Sequence, residues 1–291
     1  MRDCAIRRGV QGCARLSVMI QDYRALTVEQ HDLLEKQTLR TIVQAMQEYS
    51  KEAKQLFDTT PAPTDKEEIV LAEDIVQYAL EVAECYPINR RFAGTIDYKR
   101  VRWCSTPFGV LPQAFLVDAK ASTEDNRDTL QNSQLPMDAE FRSKKGHVVR
   151  MAAGFPAHLE VQANDGVLHA VTTSAFIHFY YERIKAPVPG GPLRDLKSIF
   201  VLCVPHARLK GIYNPDPDTT FFGEGKHSPA RNEVPRIRVY FNRLREICPW
   251  RLQELRFTPG SEYATPLWRD ASISVGGERT ETNTPFLFVG R

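Results

Sequence analysis

Along the first third of the chain, apolar residues recur at three- and four-residue intervals. Leu33, Leu34, Ile42, Val43, Met46, Tyr49 and Ala53 form one such series, the spacing of a helix with one buried face. Thr27 precedes it, with Gln30 three residues on. That is the capping-box signature, in which each side chain satisfies one backbone N–H of the first turn. The pattern predicts a long helix from Thr27 to about Phe57, stopped by Pro61 and Pro63, which cannot donate to a helical ladder. A second series, Ile69, Val70, Ile75, Val76, Ala79, Leu80 and Ala83, predicts a helix over Lys66–Cys85. The period then shortens to two. Ile96–Trp103, Gln113–Ala119, Ala170–Tyr181, Ser198–Val204 and Arg236–Phe241 are expected as strands. The polar stretch Ser122–Gln134 is expected to be helical, as is Asn242–Glu254 despite Pro249. Pro187–Pro192 and Asn214–Ser228, punctuated by Pro and Gly, are expected as loops.

Helices first and a mixture of strands and helices afterwards imply an α/β domain with an N-terminal helical region. Residues 1–18 carry Arg2, Arg7, Arg8 and Arg15 against Asp3 and show no periodicity. They are expected to be a disordered extension, leaving 19–291 as a single domain.

Composition narrows the classes. A chain of 291 residues with 42% hydrophobic and 25% charged residues is typical of a globular protein and can bury a sizeable core. Disordered, collagenous and disulfide-scaffold classes are thereby excluded. With 38 Lys+Arg against 36 Asp+Glu the net charge is +2, so the chain is not a uniformly basic nucleic-acid coat. Removing residues 1–18 takes away four Arg and one Asp, leaving 34 against 35. Arg208–Arg256, in contrast, holds ten basic residues against six acidic ones, a local excess that suits phosphate. Arg outnumbers Lys by 26 to 12, which fits either bidentate phosphate and guanine recognition or the codon usage of a GC-rich genome. The six cysteines form no C-x-x-C pair, and scattered cysteines of this kind are expected to be reduced thiols. No apolar run approaches the ~18 residues of a membrane span, and no secretory leader is evident, so a cytoplasmic protein is expected.

Metal-dependent phosphodiester hydrolysis needs carboxylates to hold a divalent cation and a further cation near the attacking water. An acid followed later by Asp/Glu-x-Lys at a strand end supplies this, because alternate strand residues share a face. The chain holds five such triplets: Glu52/Lys54, Asp97/Lys99, Asp118/Lys120, Asp195/Lys197 and Glu224/Lys226. Of these, Asp118/Lys120 ends an apolar strand, Phe115-Leu116-Val117. Thr106-Pro107-Phe108-Gly109 suits a β-turn. A hairpin closed there sets Trp103 opposite Pro112 and Asp97 opposite Asp118, with Cβ atoms about 4.5–5.5 Å apart. Lys120 then shares their face. Two acids so placed repel each other unless a cation neutralises them. The same spacing also fits a surface hairpin on which Lys99 and Lys120 screen the aspartates.

Arg236-Ile237-Arg238-Val239-Tyr240-Phe241 alternates polar and apolar residues, so Arg236, Arg238 and Tyr240 share one face. Their spacing of about 6.6 Å is close to two base-pair steps of ~3.4 Å, which suits guanine edges in a major groove; it also fits a solvated strand face. Ser122–Arg127 directly follows the Asp-x-Lys strand, and Lys226, His227, Ser228 and Arg231 form another polar cluster. Gly225-Lys226 lacks the remaining residues of a phosphate-binding loop, which excludes ATP binding of that kind. His178, inside an apolar strand, is expected as a core or edge histidine. No G-x-S-x-G elbow supports a serine hydrolase.

Long stretches carry a family resemblance: EKQTLRTIVQAMQEYSKEAK, VLAEDIVQYALEVAECYPINRRFAGTIDYKRVRW, LVDAKASTEDNRDTLQNSQLPMDAEF, YNPDPDTTFFGEGKHSPARNEVPRIRVYF and CPWRLQEL. In these the chain is similar to type II restriction endonucleases of the PD-(D/E)xK nuclease superfamily, over most of its length from about Met19. The resemblance implies a mixed β-sheet flanked by helices. It also implies Mg²⁺-dependent cleavage of double-stranded DNA at an interrupted palindrome such as GGCCNNNNNGGCC, leaving 5′-phosphates, by a bacterial homotetramer engaging two DNA sites. By position Asp97 and Asp118 match the metal-binding acids, assisted by the Ala119 carbonyl, and Lys120 matches the catalytic lysine. Ile96 stands where the motif has Pro. Glu81 or Glu84 is the family-implied further acid. Arg127, Arg236 and Arg238, with Asn126, match the base-reading region. Met19 resembles the family's start, which makes Met1–Val18 an extension. Two other functions fit the residues alone: a repair or structure-specific nuclease on the same fold, and a DNA-binding protein with an inactive acid cluster.

Overall fold

The computed structural model describes residues 26–83, 86–87, 101–104, 113–123, 129–130, 135–163, 166–225 and 236–269. Three helices come first: α1 (Val28–Glu48), α2 (Ser50–Thr59) and α3 (Asp65–Val82). Short strands β1 (Tyr86–Pro87) and β2 (Val101–Cys104) lead to β3 (Gln113–Ser122), followed by β4 (Thr129–Leu130), β5 (Ala139–Arg142), β6 (Val148–Met151) and β7 (His158–Ala163). The long strand β8 (Gly166–Arg183) turns back into β9 (Arg194–Cys203). The described residues continue through α4 (Lys210–Tyr213), β10 (Phe222–Glu224), β11 (Ile237–Val239), α5 (Phe241–Ile247), β12 (Leu252–Arg256) and β13 (Thr265–Leu267).

The main sheet runs β1-β2-β3-β8-β9-β12-β13, with β7 also paired to β8. It is mixed: β3 and β8 are parallel, and the other pairs are antiparallel. β10, β11 and β4 form a separate antiparallel sheet, and β5–β6 is a hairpin closed by Gly146 at φ 84°. Such a φ is easy for glycine and strained for other residues.

The expected capping box at Thr27 is present. Gln30 N donates to Thr27 Oγ1 at 3.2 Å and Thr27 N donates to Gln30 Oε1 at 2.8 Å. Thr64 and Glu67 form a second one that starts α3. The single long helix expected up to Phe57 is broken at Tyr49 into α1 and α2. The break lets Phe57 turn onto the sheet, where its ring meets Phe179 and Tyr181. Helices α1 to α3 lie on the face of β3 that carries Phe115, Val117, Ala119 and Ala121. Gln113 is fully buried there and donates to both Thr38 of α1 and Thr173 of β8, at 2.6 Å each.

Three further expectations fail. Ser122 ends a strand, and Thr129–Leu130 is a strand too, so Ser122–Gln134 is not one helix. The segment pairs with β11, and tertiary pairing overrides polar composition. Asn242–Glu254 is helical only to Ile247. Pro249 has no N–H for a helical bond, so a tight turn over Pro249–Arg251 leads into β12, which pairs with β9. The predicted loop Asn214–Ser228 contains β10.

One charged cluster fastens α1 to the far end of the sheet. Arg251 is fully buried and reaches Glu35 Oε2 at 2.7 Å and Asp32 Oδ1 at 2.6 Å. Glu35 Oε1 also accepts from His206 N at 2.7 Å, and Tyr213 OH donates to Asp32 at 2.6 Å. The rings of His31 and His206 stack at 4.6 Å. His206 Nε2 lies 2.8 Å from the Ala157 carbonyl, and its Nδ1 accepts from Arg208 N. Burial pushes the Glu35 carboxyl up to about 7, with Arg251 pulling the other way. At 2.7 Å from a guanidinium, we take the ionised pair as the native form. Burial, then the neighbouring His206 and Arg208, push the His31 imidazole down to about 3. Cys203 and Cys248 are free buried thiols beside this cluster.

Two predictions follow from this cluster. Arg251→Met strands the Glu35 carboxylate and should cost about 3–5 kcal/mol in urea unfolding, while adding Glu35→Leu should recover part of it. His31 is neutral when folded and titrates at an ordinary imidazole pKa when unfolded. Its contribution is therefore complete above about 6.5 and lost as pH falls toward about 3. The melting temperature should drop between pH 7.5 and pH 5, and His31→Phe should flatten that dependence; an unchanged slope in the variant counts against it.

Candidate active site and nucleic-acid interface

The pairing of β3 with β8 is parallel and runs from Gln113↔Val171 to Ser122↔Tyr180. In-register residues share a face, so Asp118, Lys120 and Ser122 stand with Phe176, His178 and Tyr180. This face lies opposite the one that holds the three helices. The β2–β3 pairing sets Trp103 opposite Ala114 and Cys104 opposite Gln113. The sequence had placed Trp103 opposite Pro112, two residues away. Pro112 cannot donate to a ladder, and β3 begins after it. A slip of two preserves the assignment of faces, whereas a slip of one would have inverted it. The described pairing of β2 ends at Val101↔Leu116, and β3 continues beyond it to Ser122.

Asp118 is 5% exposed, and Lys120 Nζ lies 2.7 Å from its Oδ2. Ser122 Oγ lies 2.9 Å from His178 Nε2, so the histidine in the apolar strand is buried and tied to the end of β3. Other Asp/Glu-x-Lys triplets have different roles. Lys54, from α2, joins Asp58 and Asp195, and Lys197 also pairs with Asp195. Burial opposes ionisation of Asp195, but hydrogen bonds from Lys197 and Lys54 hold its carboxyl below the usual range. That network pins α2 to β9. Glu224 accepts from the Lys144 backbone N–H at 3.0 Å.

Asp97, Asn126, Arg127 and the cluster Lys226, His227, Ser228 and Arg231 lie outside the described residues. Glu81, on α3, accepts from Gln77 Nε2 at 3.2 Å. Among the described residues no three His, Cys, Asp or Glu side chains gather as a metal cage. A buried carboxylate with a lysine beside it, next to a backbone carbonyl at Ala119, is a hard-oxygen donor set. It suits a small divalent cation completed by a further acid and water, and does not suit a soft metal.

Arg236 and Arg238 belong to the small sheet. Ile237 and Val239 are fully buried, and the two arginines alternate with them onto the partly exposed face. β11 sits between β10 and β4, with Gly223 opposite Arg238 and Thr129 opposite Arg238 on the other side. On sequence alone, β10 and its neighbouring glycines fall in a predicted loop, and Gly225 is weighed only as part of a phosphate-binding loop. Gly223 and Gly225, two apart in an extended segment, were the available signal, because glycine in a strand marks a close backbone approach.

Comparison with known proteins fits this geometry. The family model described as "Type II restriction enzyme SfiI" matches residues 62–255. The curated type II restriction enzyme SfiI of Streptomyces fimbriatus is 66% identical over 275 residues, covering 94% of this chain and all of that one. The chain belongs to the SfiI family of type II restriction enzymes. As a member of the SfiI family it is a site-specific deoxyribonuclease, and such enzymes work with a divalent metal. A crystal structure of tetrameric SfiI bound to cognate DNA matches with a TM-score of 0.79 and 65% identity, covering 92% of this chain and 98% of that one. The endonuclease BglI bound to its DNA recognition sequence matches with a TM-score of 0.60 at 16% identity, covering 78% and 90%. That second likeness extends the fold, a mixed sheet flanked by helices, beyond the SfiI family. No helix among the described residues is long and apolar enough to cross a membrane.

Proposed function

We propose that the chain cleaves both strands of duplex DNA at an interrupted palindrome of the form GGCCNNNNNGGCC, leaves 5′-phosphates, uses Mg²⁺, and acts in the bacterial cytoplasm as a homotetramer engaging two sites. The observation that carries this is the Asp118–Lys120 pair within β3, its acid almost fully buried, in a chain 66% identical to SfiI. The tetrameric, DNA-bound form of SfiI supports the assembly and the partner. Symmetric subunits meet symmetric half-sites.

In this mechanism Asp118, Asp97 and the Ala119 carbonyl would hold the metal. When bound, a divalent cation there would supply a water of lowered pKa and charge to offset that of the phosphate. Lys120 has three N–H donors; one stays on Asp118 and the others orient the attacking water and stabilise the developing oxyanion. Burial of Asp118 limits its rotamers, and the strand fixes its separation from Lys120, so the two arrive already aligned. Arg236 and Arg238 read guanines of the GGCC half-site through their N7 and O6 acceptors. Arg127 and Asn126, on the segment after β3, contact the bases near the cut.

Lys120→Ala should slow cleavage by about a hundredfold or more while keeping specific binding in a gel-shift assay; full cleavage by this variant would refute the site. Chelation should abolish cleavage and Mg²⁺ should restore it. Sequenced product ends should define one interrupted palindrome, and Arg238→Ala should relax it at one position at a cost of about 1–3 kcal/mol. Ends scattered over unrelated sequences would sink the specificity assigned here.

A further inference from the structure

We propose that Arg243, held on the ring of Tyr240, grips a DNA backbone phosphate beside the bases read by Arg236 and Arg238. The inference rests on the assignment of β11 as the reading strand and adds a contact to it. Gly223 lies opposite Arg238, so a side chain at 223 would project onto the face that Arg238 uses. Tyr240 occupies that space. A Cβ on Gly223 would come within 2.3 Å of Tyr240 Cε2 and 2.8 Å of its hydroxyl. The ring thus rests directly on the backbone of β10, on the reading face. At Gly225 the close approach is between backbones: a Cβ there would come within 2.8 Å of the Arg236 carbonyl, which accepts from Gly225 N at 2.9 Å. The missing side chains let β11 and the Tyr240 ring lie close against β10.

Arg243 is exposed, and its guanidinium lies 4.7 Å from the Tyr240 ring centroid. Its Nη1 also reaches the Thr220 carbonyl at 3.5 Å. Nearby arginines are engaged by acids: Arg245 and Arg256 by Glu254, and Arg251 by Glu35 and Asp32. Arg243 makes no ion pair among the described residues. A guanidinium stacked on an aromatic face keeps its in-plane N–H fork for a bidentate anion. Stacking also removes part of the entropy cost of fixing a long side chain on binding. Arg243 rises from α5, after the strand has ended, so it sits beside the row that meets base edges. A phosphate, which positions the duplex without reporting sequence, is the matching ligand.

The test is equilibrium DNA binding by the full chain in a Lys120→Ala background, over a range of salt, with cognate and non-cognate duplexes. Arg243→Ala should weaken binding to both about tenfold. It should make the plot of log affinity against log salt shallower by about one, and leave the cognate-to-non-cognate ratio unchanged. Arg243→Lys should keep the salt slope. Tyr240→Phe should bind like the parent, and Gly223→Ala, which displaces the ring, should reproduce part of the Arg243→Ala loss. Unchanged affinity and slope in Arg243→Ala would overturn the inference, and so would a changed ratio at constant slope. Arg238→Ala separates this from the underlying assignment: sequence discrimination that survives in that variant removes β11 as the reading strand, whatever Arg243 does.

Discussion

The parallel pairing of β3 with β8 is the constraint on which the rest depends. It runs over the whole of β3 and joins it to the longest strand of the sheet. With β8 fixed between β3 and β9, Asp118 and Lys120 have one face available. The opposite face is committed to the apolar residues under α1 to α3. A carboxylate that is almost fully buried is costly unless it is paired. Lys120 supplies one charge here, and a metal would supply more. The fold holds the acid within a strand paired along its whole length, where the sheet prevents it from turning away.

How legible the molecule is from sequence depends on whether a feature is local. The capping box at Thr27 and the apolar faces of α1 and α3 involve residues three or four apart, which a sequence displays directly; the Thr64–Glu67 box has the same spacing and was passed over. The Asp118/Lys120 pair is legible for a similar reason: it ends an apolar run, so its charges must emerge at a strand end. What the sequence concealed is set by partners far along the chain. Thr129–Leu130 is a strand because β11 pairs with it, more than a hundred residues later. The two-residue difference in the β2–β3 register came from a turn placed on local rules, with Pro112 displacing the start of the ladder. The glycines of β10 became informative only once Tyr240 was seen lying on them.

Charge is distributed by the same logic. The near-zero total conceals buried pairs that offset each other inside and an arginine row left at the surface. Arg194 illustrates the inner group: it is nearly inaccessible, and its guanidinium donates to the carbonyls of Phe57, Thr60 and Ala62. It closes the connection between α2 and α3. Cations of that kind contribute to the arithmetic of net charge but present nothing to a polyanion. Within Arg208–Arg256, the partly exposed Arg236 and Arg238 and the exposed Arg243 are a better guide to the DNA-facing side than any whole-chain sum.

The Arg251 cluster has a consequence for how the protein is made. Asp32 and Arg251 are 219 residues apart, so the acids of α1 emerge from the ribosome long before the cation that neutralises them. Until that residue is out, Asp32 and Glu35 of the first helix lack the buried cation that pairs with them. Domains generally fold as units during synthesis. Here the unit cannot close until most of the chain is present. For a protein that cuts DNA, this ties the arrival of a finished nuclease to the completion of its own chain. A truncated product that already contains Asp118 and Lys120 would lack the clamp that holds its scaffold together.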